Sequence, residues 1–582
     1  MQARINVRAV WLVLAAALAV VAVAATSASG QPAGGAGAKA YPRSQTLYTG
    51  GTQWGNIVGF NPYVGNYAAG TVGLVNETLF RYDPLKDTYI NWLASSGKWT
   101  SPKVYVITVR SGVKWSDGSP FGASDVKWNI DLGRFATVPW HNLYVGMSSV
   151  TASGSTVTIT FKGTPQYQMW QYQLWNIPMI QPAQWAAHAN ATDITTWSPD
   201  SPIGTGPYVL DKSGYDPTTR VVWMKNPNGW WAVKAGVAPE PKPNYVIDLV
   251  NSSNNVALGL LLNGQEDLNN NYLPGVSKLI TGGYGIVSYY SKPPYMLSAN
   301  TAWLLPNLLK KPMNDFKFRQ ALAYAVNVDQ IVSVDYANLV AKANPTGLLP
   351  TWKKYVSKST VQKYGFAYNP SKAKQLLQAA GYKLGSNGYF SNPDGSKIAL
   401  TIAVPSGWSD WMQAAQMIAA DLKQVGIRAT ATYPDFNTWQ SMRNNGKFDL
   451  MIDNTAQMSD TPYTYYQYLF NQPVLKTQTN YNFERTVNNA AWKLTQQLNA
   501  TPKSNLAKMK TITAALERIT LQTLPEIPLW YNGVWAQSST SVWTNWPSSA
   551  SSRNYIPAMW RGYLQMTGID MIDHLAPAKS GG

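Results

Sequence analysis

Hydrophobic and polar positions alternate clearly in the run 104–129, VYVITVRSGVKWSDGSPFGASDVKWN. Val104, Val106, Thr108 and Arg110 alternate with Tyr105, Ile107 and Val109, which predicts a strand with two unlike faces. Gly112 breaks it. Ser116-Asp117-Gly118 predicts a turn, because Asp bonds its own backbone and Gly tolerates positive φ. After Pro120, Ser124-Asp125 predicts a helix start, with a cap and a first-turn acid. The same reading gives strands at 44–48, 157–161, 398–404, 427–433 and 527–531. Helices are predicted at 71–80, 256–262, 316–332, 372–380, 410–425 and 512–521. In 316–332, apolar residues at 318, 321, 322, 325 and 326 keep helical spacing. Asn369-Pro370-Ser371 caps the helix at 372–380, and Gly381 stops it. The strand-helix-strand order over 398–433 suits a parallel α/β lobe. No internal repeat is apparent.

At 582 residues the chain exceeds one core, so two or more lobes are expected. Hydrophobic residues make up an ordinary 45%, whereas charged residues are only 13%, about half the usual share. Uncharged polar groups must therefore carry much of the solvation. Trp (25) and Tyr (34) are abundant. Cys is absent, which excludes disulfides, thiolate catalysis, zinc-thiolate sites and a lipoprotein anchor.

Formal net charge is +18, because acids are scarce (29) rather than because Lys and Arg (47) are dense. No run of four Lys/Arg occurs, so a nucleic-acid partner is not expected. A surface that depends little on carboxylates suits acidic surroundings, since few groups titrate as pH falls. Arg4 and Arg8 precede an apolar run at 10–25, and small residues to Ala28 offer cleavage sites. This predicts a secretory signal peptide over 1–28, with an uncleaved anchor helix as the alternative. A flexible linker follows at 29–44. An exported protein results, in the periplasm or at the outer face of the cytoplasmic membrane and cell wall.

The string at 104–129 closely resembles the signature of the family 5 extracellular solute-binding proteins, receptors that deliver peptides, nickel or oligosaccharides to ABC importers. Further landmarks follow in order. GTGPY lies within Ser201 to Leu210, KNPNGWW runs from Lys225 to Trp231, and Asn263-Gly264-Gln265-Glu266-Asp267-Leu268 resembles a recurring helix-to-strand step. The helices at 316–332 and 372–380 match others. The resemblance spans about 45–560. It implies a periplasmic-binding-protein-like α/β fold of cluster C type: two lobes, a hinge and an extra subdomain in the first lobe. Carried over, lobe 1 covers 45–284 with the subdomain at about 80–200, and lobe 2 covers 285–500. Residues 501–582 then return to lobe 1 and form the tail.

No catalytic constellation is found. The three His, at 141, 188 and 574, lack metal-ligand spacing, and no G-x-S-x-G elbow is present. Catalytic residues, metal ligands and cofactors are therefore assigned as none. Aromatics, by contrast, concentrate in loops. Trp54 sits in the first loop with Asn56 and Asn61. Trp408, Asp410 and Trp411 lie where strand 398–404 turns into a helix, and Phe436 and Trp439 follow the next strand similarly. Ligands bind at the carboxyl ends of parallel strands. Asp453, Asn454 and Tyr463 follow the third strand, and Trp530 lies on the late one. Flat rings cover the C–H face of a sugar, and amides and carboxylates satisfy its hydroxyls. These residues form the predicted ligand-binding set.

Peptide-binding members hold the α-amine with an Asp where this chain has Ala456 or Gln457. GTVGLVNETLFRYDP at 70–84 and PSGWSDWM at 405–412 look more like the cellobiose and β-oligosaccharide branch. The resemblance implies a monomeric receptor for a neutral oligosaccharide, working with a membrane permease. An oligopeptide is the alternative ligand, and a secreted polysaccharide-active enzyme or adhesin the more distant reading.

Overall fold

The strand predicted from the 104–129 run is present as Val104–Val109, with Tyr105, Ile107 and Val109 buried and the alternate residues half-exposed. It pairs antiparallel with Ala94–Ser101 and Thr156–Phe161, and Met147–Ser153 completes a four-stranded sheet. Gly118 donates to Trp115 O (2.9 Å) at the turn, where its φ is +91°. The following helix, Ala123–Asp131, starts at Gly122, earlier than the Ser124 cap expected. Asp125 closes its first turn by accepting from Gly122 N (2.9 Å).

This computed structural model describes residues 39–50, 55–64, 67–86, 88–168, 177–454, 458–459, 461–478, 481–557, 566 and 568–579. The predicted signal peptide, most of the linker and Trp54 lie outside the described residues.

Two larger sheets organise the rest. The first has seven strands in the order Ile286–Val287, Gln537–Ser539, Leu268–Asn269, Thr46–Gly50, Tyr245–Leu249, Arg220–Lys225, Tyr208–Leu210. Thr46–Gly50 runs parallel to both its neighbours. The second has six strands in the order Ala341–Lys342, Ile527–Val534, Leu297–Pro306, Leu450–Asp453, Leu400–Ala403, Ala429–Thr432. Leu400–Ala403 is parallel to both its neighbours and is followed by the helix Ser409–Gln424. The predicted parallel unit over 398–433 is therefore present.

The chain passes between the two sheets after Val287 and again after Val534. The two passages run side by side, because Leu297, which begins one strand, pairs with Val534, which ends its neighbour. The sequence reading placed the return at 501. The second sheet instead keeps Ile527–Val534, all eight of whose residues are buried, as an inner strand. Its apolar content on both faces requires cover on both sides.

One predicted helix is absent. Residues 71–79 form a buried loop, with an isolated bridge between Val72 and Asn76. Gly70 and Gly73 adopt φ of +91° and +99°. Asn76 Nδ2 donates to Met179 O (2.9 Å). The Glu77 carboxylate accepts from the indoles of Trp92 (2.7 Å), Trp230 (3.3 Å) and Trp231 (2.7 Å) and from Thr205 Oγ1 (2.7 Å). These tertiary bonds outweigh the local helical preference.

Candidate functional site

The site is built where the strands of the second sheet end. After Ala403 the chain turns through Gly407, at φ +85°, into Trp408, the residue preceding the helix Ser409–Gln424. Ser406 N donates to Pro434 O (2.8 Å), tying this turn to the loop after the neighbouring strand. That tie brings Trp408 and Phe436 together, with ring centroids 5.8 Å apart and planes within 27°. Trp408 also meets Trp411 edge-on at 4.8 Å. Trp439 lies 5.9 Å from Phe436, and its Nε1 donates to Ala403 O (3.3 Å). Phe436 is 40% exposed and Trp408 half-buried, so the cluster keeps an open aromatic edge.

The other predicted residues are placed as follows. Trp411 is buried within the packed part of the cluster. Asp453, at the end of the third parallel strand, is fully buried against Arg443, whose Nη1 lies 3.3 Å from each carboxylate oxygen. Arg443 also rests over Trp439 at 5.0 Å, so it links the ion pair to the rings. Asn454 is half-buried beside Asp453. Tyr463 lies in the wholly buried helix Tyr463–Phe470, with its hydroxyl accepting from Asn499 Nδ2 (3.1 Å). Trp530 is fully buried on the inner strand and packs on Tyr336 at 5.0 Å. Asn56 is exposed. Asn61 is buried and fully engaged: its Nδ2 donates to Ile194 O (3.1 Å) and Trp197 O (2.7 Å), and its Oδ1 accepts from Tyr63 N (2.9 Å). The aromatic run at 463–468 is core, because all of the helix that carries it is enclosed. The structure thus gathers Trp408, Asp410, Trp411, Phe436, Trp439 and Asp453 at one end of the sheet.

Asp410 joins this end to the first sheet. The helix Asn254–Leu262 leads from Tyr245–Leu249 towards Leu268–Asn269, and its first residue faces the start of Ser409–Gln424. Asn254 Nδ2 donates to Ser409 Oγ (3.0 Å) and Asp410 Oδ1 (3.3 Å), while Tyr336 OH donates to Asp410 Oδ2 (3.1 Å). Asn271 Nδ2 donates in turn to Asn254 Oδ1 (2.5 Å). Tyr272 OH donates to Asp335 O (3.0 Å), and the rings of Tyr272, Tyr336 and Trp535 pack together. Burial pushes the Asp410 carboxyl up to about 6, against the opposing hydrogen bonds from Trp411 N, Tyr336 and Asn254. Burial, with Asp410 nearby, pushes Asp335 up to about 8. Sequence reasoning missed Asn254, Asn271, Tyr272, Asp335 and Tyr336. The run Asn269-Asn270-Asn271 was the available signal, since three successive amides at the end of a short buried strand require partners.

A cavity of about 430 Å³ lies beside the first passage, lined by Tyr290, Pro293, Pro294, Leu297, Pro350 and Thr351 among others. None of the predicted ligand residues among the described residues lines it. The three His are dispersed: His141 contacts Gly133 O, His188 stacks on Trp197, and His574 contacts Asp570 O. Among the described residues, no three His, Asp or Glu are grouped to hold a metal, and no helix is long and apolar enough to cross a membrane.

Two linked sheets, with a polar contact between them and an aromatic edge at parallel strand ends, define a two-lobed binding fold. The chain belongs to family 5 of the bacterial extracellular solute-binding proteins, whose profile ("family 5 Middle") matches residues 88–475. It is similar to a periplasmic oligopeptide-binding protein of an oligopeptide ABC transporter from Thermotoga maritima, solved with mannohexaose bound. The two are 37% identical with a TM-score of 0.86, over 92% of this chain and 99% of that one. It is also similar to a probable ABC transporter-binding protein of Deinococcus radiodurans (24% identical, 83% of this chain and 86% of the relative). The nickel-binding periplasmic protein of Escherichia coli is 26% identical over 66% of this chain and 70% of its own length. The protein is therefore an extracytoplasmic solute-binding receptor of the ABC-importer class.

Proposed function

We propose that this receptor captures a neutral oligosaccharide, cello-type or otherwise β-linked, between its lobes and presents it to a membrane permease without chemical change. The observation that carries this reading is the Trp408–Phe436–Trp439 cluster at the strand ends, beside carboxylates that are already bonded. Asp453 is held by Arg443, and Asp410 by Asn254 and Tyr336. A zwitterionic peptide would need a carboxylate for its amine, and unpairing a buried one is costly. A neutral sugar needs ring faces and hydrogen bonds only. The mannohexaose held by the Thermotoga relative supports the same class, while that relative's oligopeptide-binding name keeps peptides as the alternative.

In this reading, lobe 1 comprises 45–284 and the chain beyond Trp535, with the added subdomain at about 80–200, and lobe 2 comprises 285–534. The mature receptor is a monomer, exported by the 1–28 signal. Ligand contacts to both lobes favour the closed state by their difference in affinity for closed and open forms. Calorimetric titration with cello-, manno- and xylo-oligosaccharides and with tripeptides tests the reading. Saturable binding of a sugar that is recovered intact is expected. Tight peptide binding with no sugar binding overturns it, and release of shortened sugars would establish an enzyme.

A further inference from the structure

Between Asp335 and Asp394 the chain carries eight Lys and no Asp, Glu or Arg. The sequence alone shows these charges as scattered. The fold brings several of them together on short elements packed against one long helix. The short helical turn Pro350–Tyr355 and the helix Lys358–Tyr364 both pack against the long helix Leu506–Thr523. Ser357 N donates to Glu517 Oε2 (2.9 Å), fixing the joint. Lys353, Lys354, Lys358 and Lys363 are exposed on the first two elements. On the long helix, Lys510 lies about two turns before Glu517 on the same stripe, and Arg518 follows it; both are exposed. The only acid on the three elements is Glu517, which is fully buried. Lys353, Lys358 and Lys363 have no carboxylate within ion-pair distance among the described residues.

Four of these six cations are Lys on a pair of short helical segments, and Lys is a hydrated point charge suited to a diffuse field rather than to bidentate recognition. Aromatic rings interleave with them. The Lys363 ammonium group sits 5.3 Å from the ring centre of the half-buried Tyr364, with Phe366 half-buried just beyond, whereas Lys354 lies 5.4 Å from the ring of Tyr355, which is buried in the core. Lys beside Tyr and Phe is the pairing that suits a lipid headgroup layer. A receptor that serves a membrane importer works beside such a layer. We infer that this basic face of the second lobe docks on an anionic phospholipid surface and concentrates the receptor at the membrane. The contact is electrostatic and reversible, and it leaves the ligand end of the sheet untouched.

The test is co-sedimentation of the mature protein with vesicles of about 30 mol% phosphatidylglycerol in phosphatidylcholine, or of phosphatidylcholine alone, at about 50 and 300 mM salt. Two variants are compared: Lys353→Gln/Lys354→Gln/Lys358→Gln/Lys363→Gln, and Lys98→Gln/Lys114→Gln/Lys212→Gln/Lys278→Gln, whose lysines are also exposed but lie elsewhere. Both lose the same charge. The expected result is binding to anionic vesicles only, lost at the higher salt. It should weaken at least about tenfold in the first variant and less than about threefold in the second. Equal weakening in both variants would mean adsorption by net charge alone and overturn the proposal. So would indifference to lipid charge, or stronger binding to an acidic protein or duplex DNA at the same salt. Ligand titration of the first variant should be unchanged, so a failure of the sugar reading is seen separately.

Discussion

Trp408 and Trp411 are three residues apart and touch, yet their settings assign them different work. Trp408 is half-buried at the open edge, whereas Trp411 is enclosed. Trp408→Ala should weaken sugar binding at least tenfold, about 1.4 kcal/mol, with little change in melting temperature. Trp411→Ala should instead cost about 3–5 kcal/mol of stability through the cavity it leaves. Calorimetry and denaturant unfolding of both variants separate the roles; a Trp408 variant that binds normally removes the stacking argument. Glu77 shows the same dependence on setting. Its carboxylate accepts four hydrogen bonds inside the first lobe, three of them from indoles. Glu77→Gln turns one acceptor into a donor facing donors, and should cost about 1–3 kcal/mol in a urea titration. A stability equal to wild type would show that the indoles find other partners.

At the level of elements, the contact between the lobes includes two helix starts, Asn254 and Ser409–Asp410, beside the Tyr272–Asp335 bond. Asn254→Ala removes the donor to both Ser409 and Asp410 and leaves the latter with less cover. Sugar affinity should fall roughly 3- to 10-fold, about 1 kcal/mol for one hydrogen bond, and X-ray scattering should register a larger mean radius. An unchanged radius and affinity would show that closure is fixed elsewhere. Strands and the parallel unit were legible beforehand because alternation and cap residues are local signals. Val104–Val109 and the 398–433 unit lie where the pattern puts them. Residues 71–79 were misread because the bonds that hold Asn76 and Glu77 come from Met179, Thr205 and Trp231, far along the chain. The site was legible only in part for the same reason. Trp408 and Phe436 sit in loops after strands, a local cue, whereas Asn254 and Tyr336 acquire their meaning only when distant segments meet at Asp410.

Across the whole molecule, buried acids shape the response to pH. Burial pushes Glu266, Glu526, Asp573 and Asp335 up to about 8, Glu517 to about 7 and Asp410 to about 6. In the unfolded chain such groups titrate near 4. Between about 4 and 8 the folded state therefore binds more protons than the unfolded one, and stability falls as pH rises through that window. Surface carboxyls held low act in the opposite sense, but only below their unfolded values. Asp394, brought to about 2 by Ser396 and Lys311, is one of them. The melting temperature should be higher at pH 5 than at pH 8; the reverse order in a scanning experiment would show that these acids are ionised in the native state. The scarcity of surface acids and the protonated interior acids both favour tolerance of mild acid.

The inner strand Ile527–Val534 has a consequence for the birth of the protein. It fills the place between Leu297–Pro306 and Ala341–Lys342, both of which leave the ribosome some two hundred residues earlier. Until it arrives, the half-built sheet has a missing slat and an unpaired edge, and domains normally complete in order of synthesis. Here the later half cannot set until nearly the full length has emerged, so a chain stopped at residue 520 should stay protease-sensitive throughout 297–500, while one stopped after 540 should not.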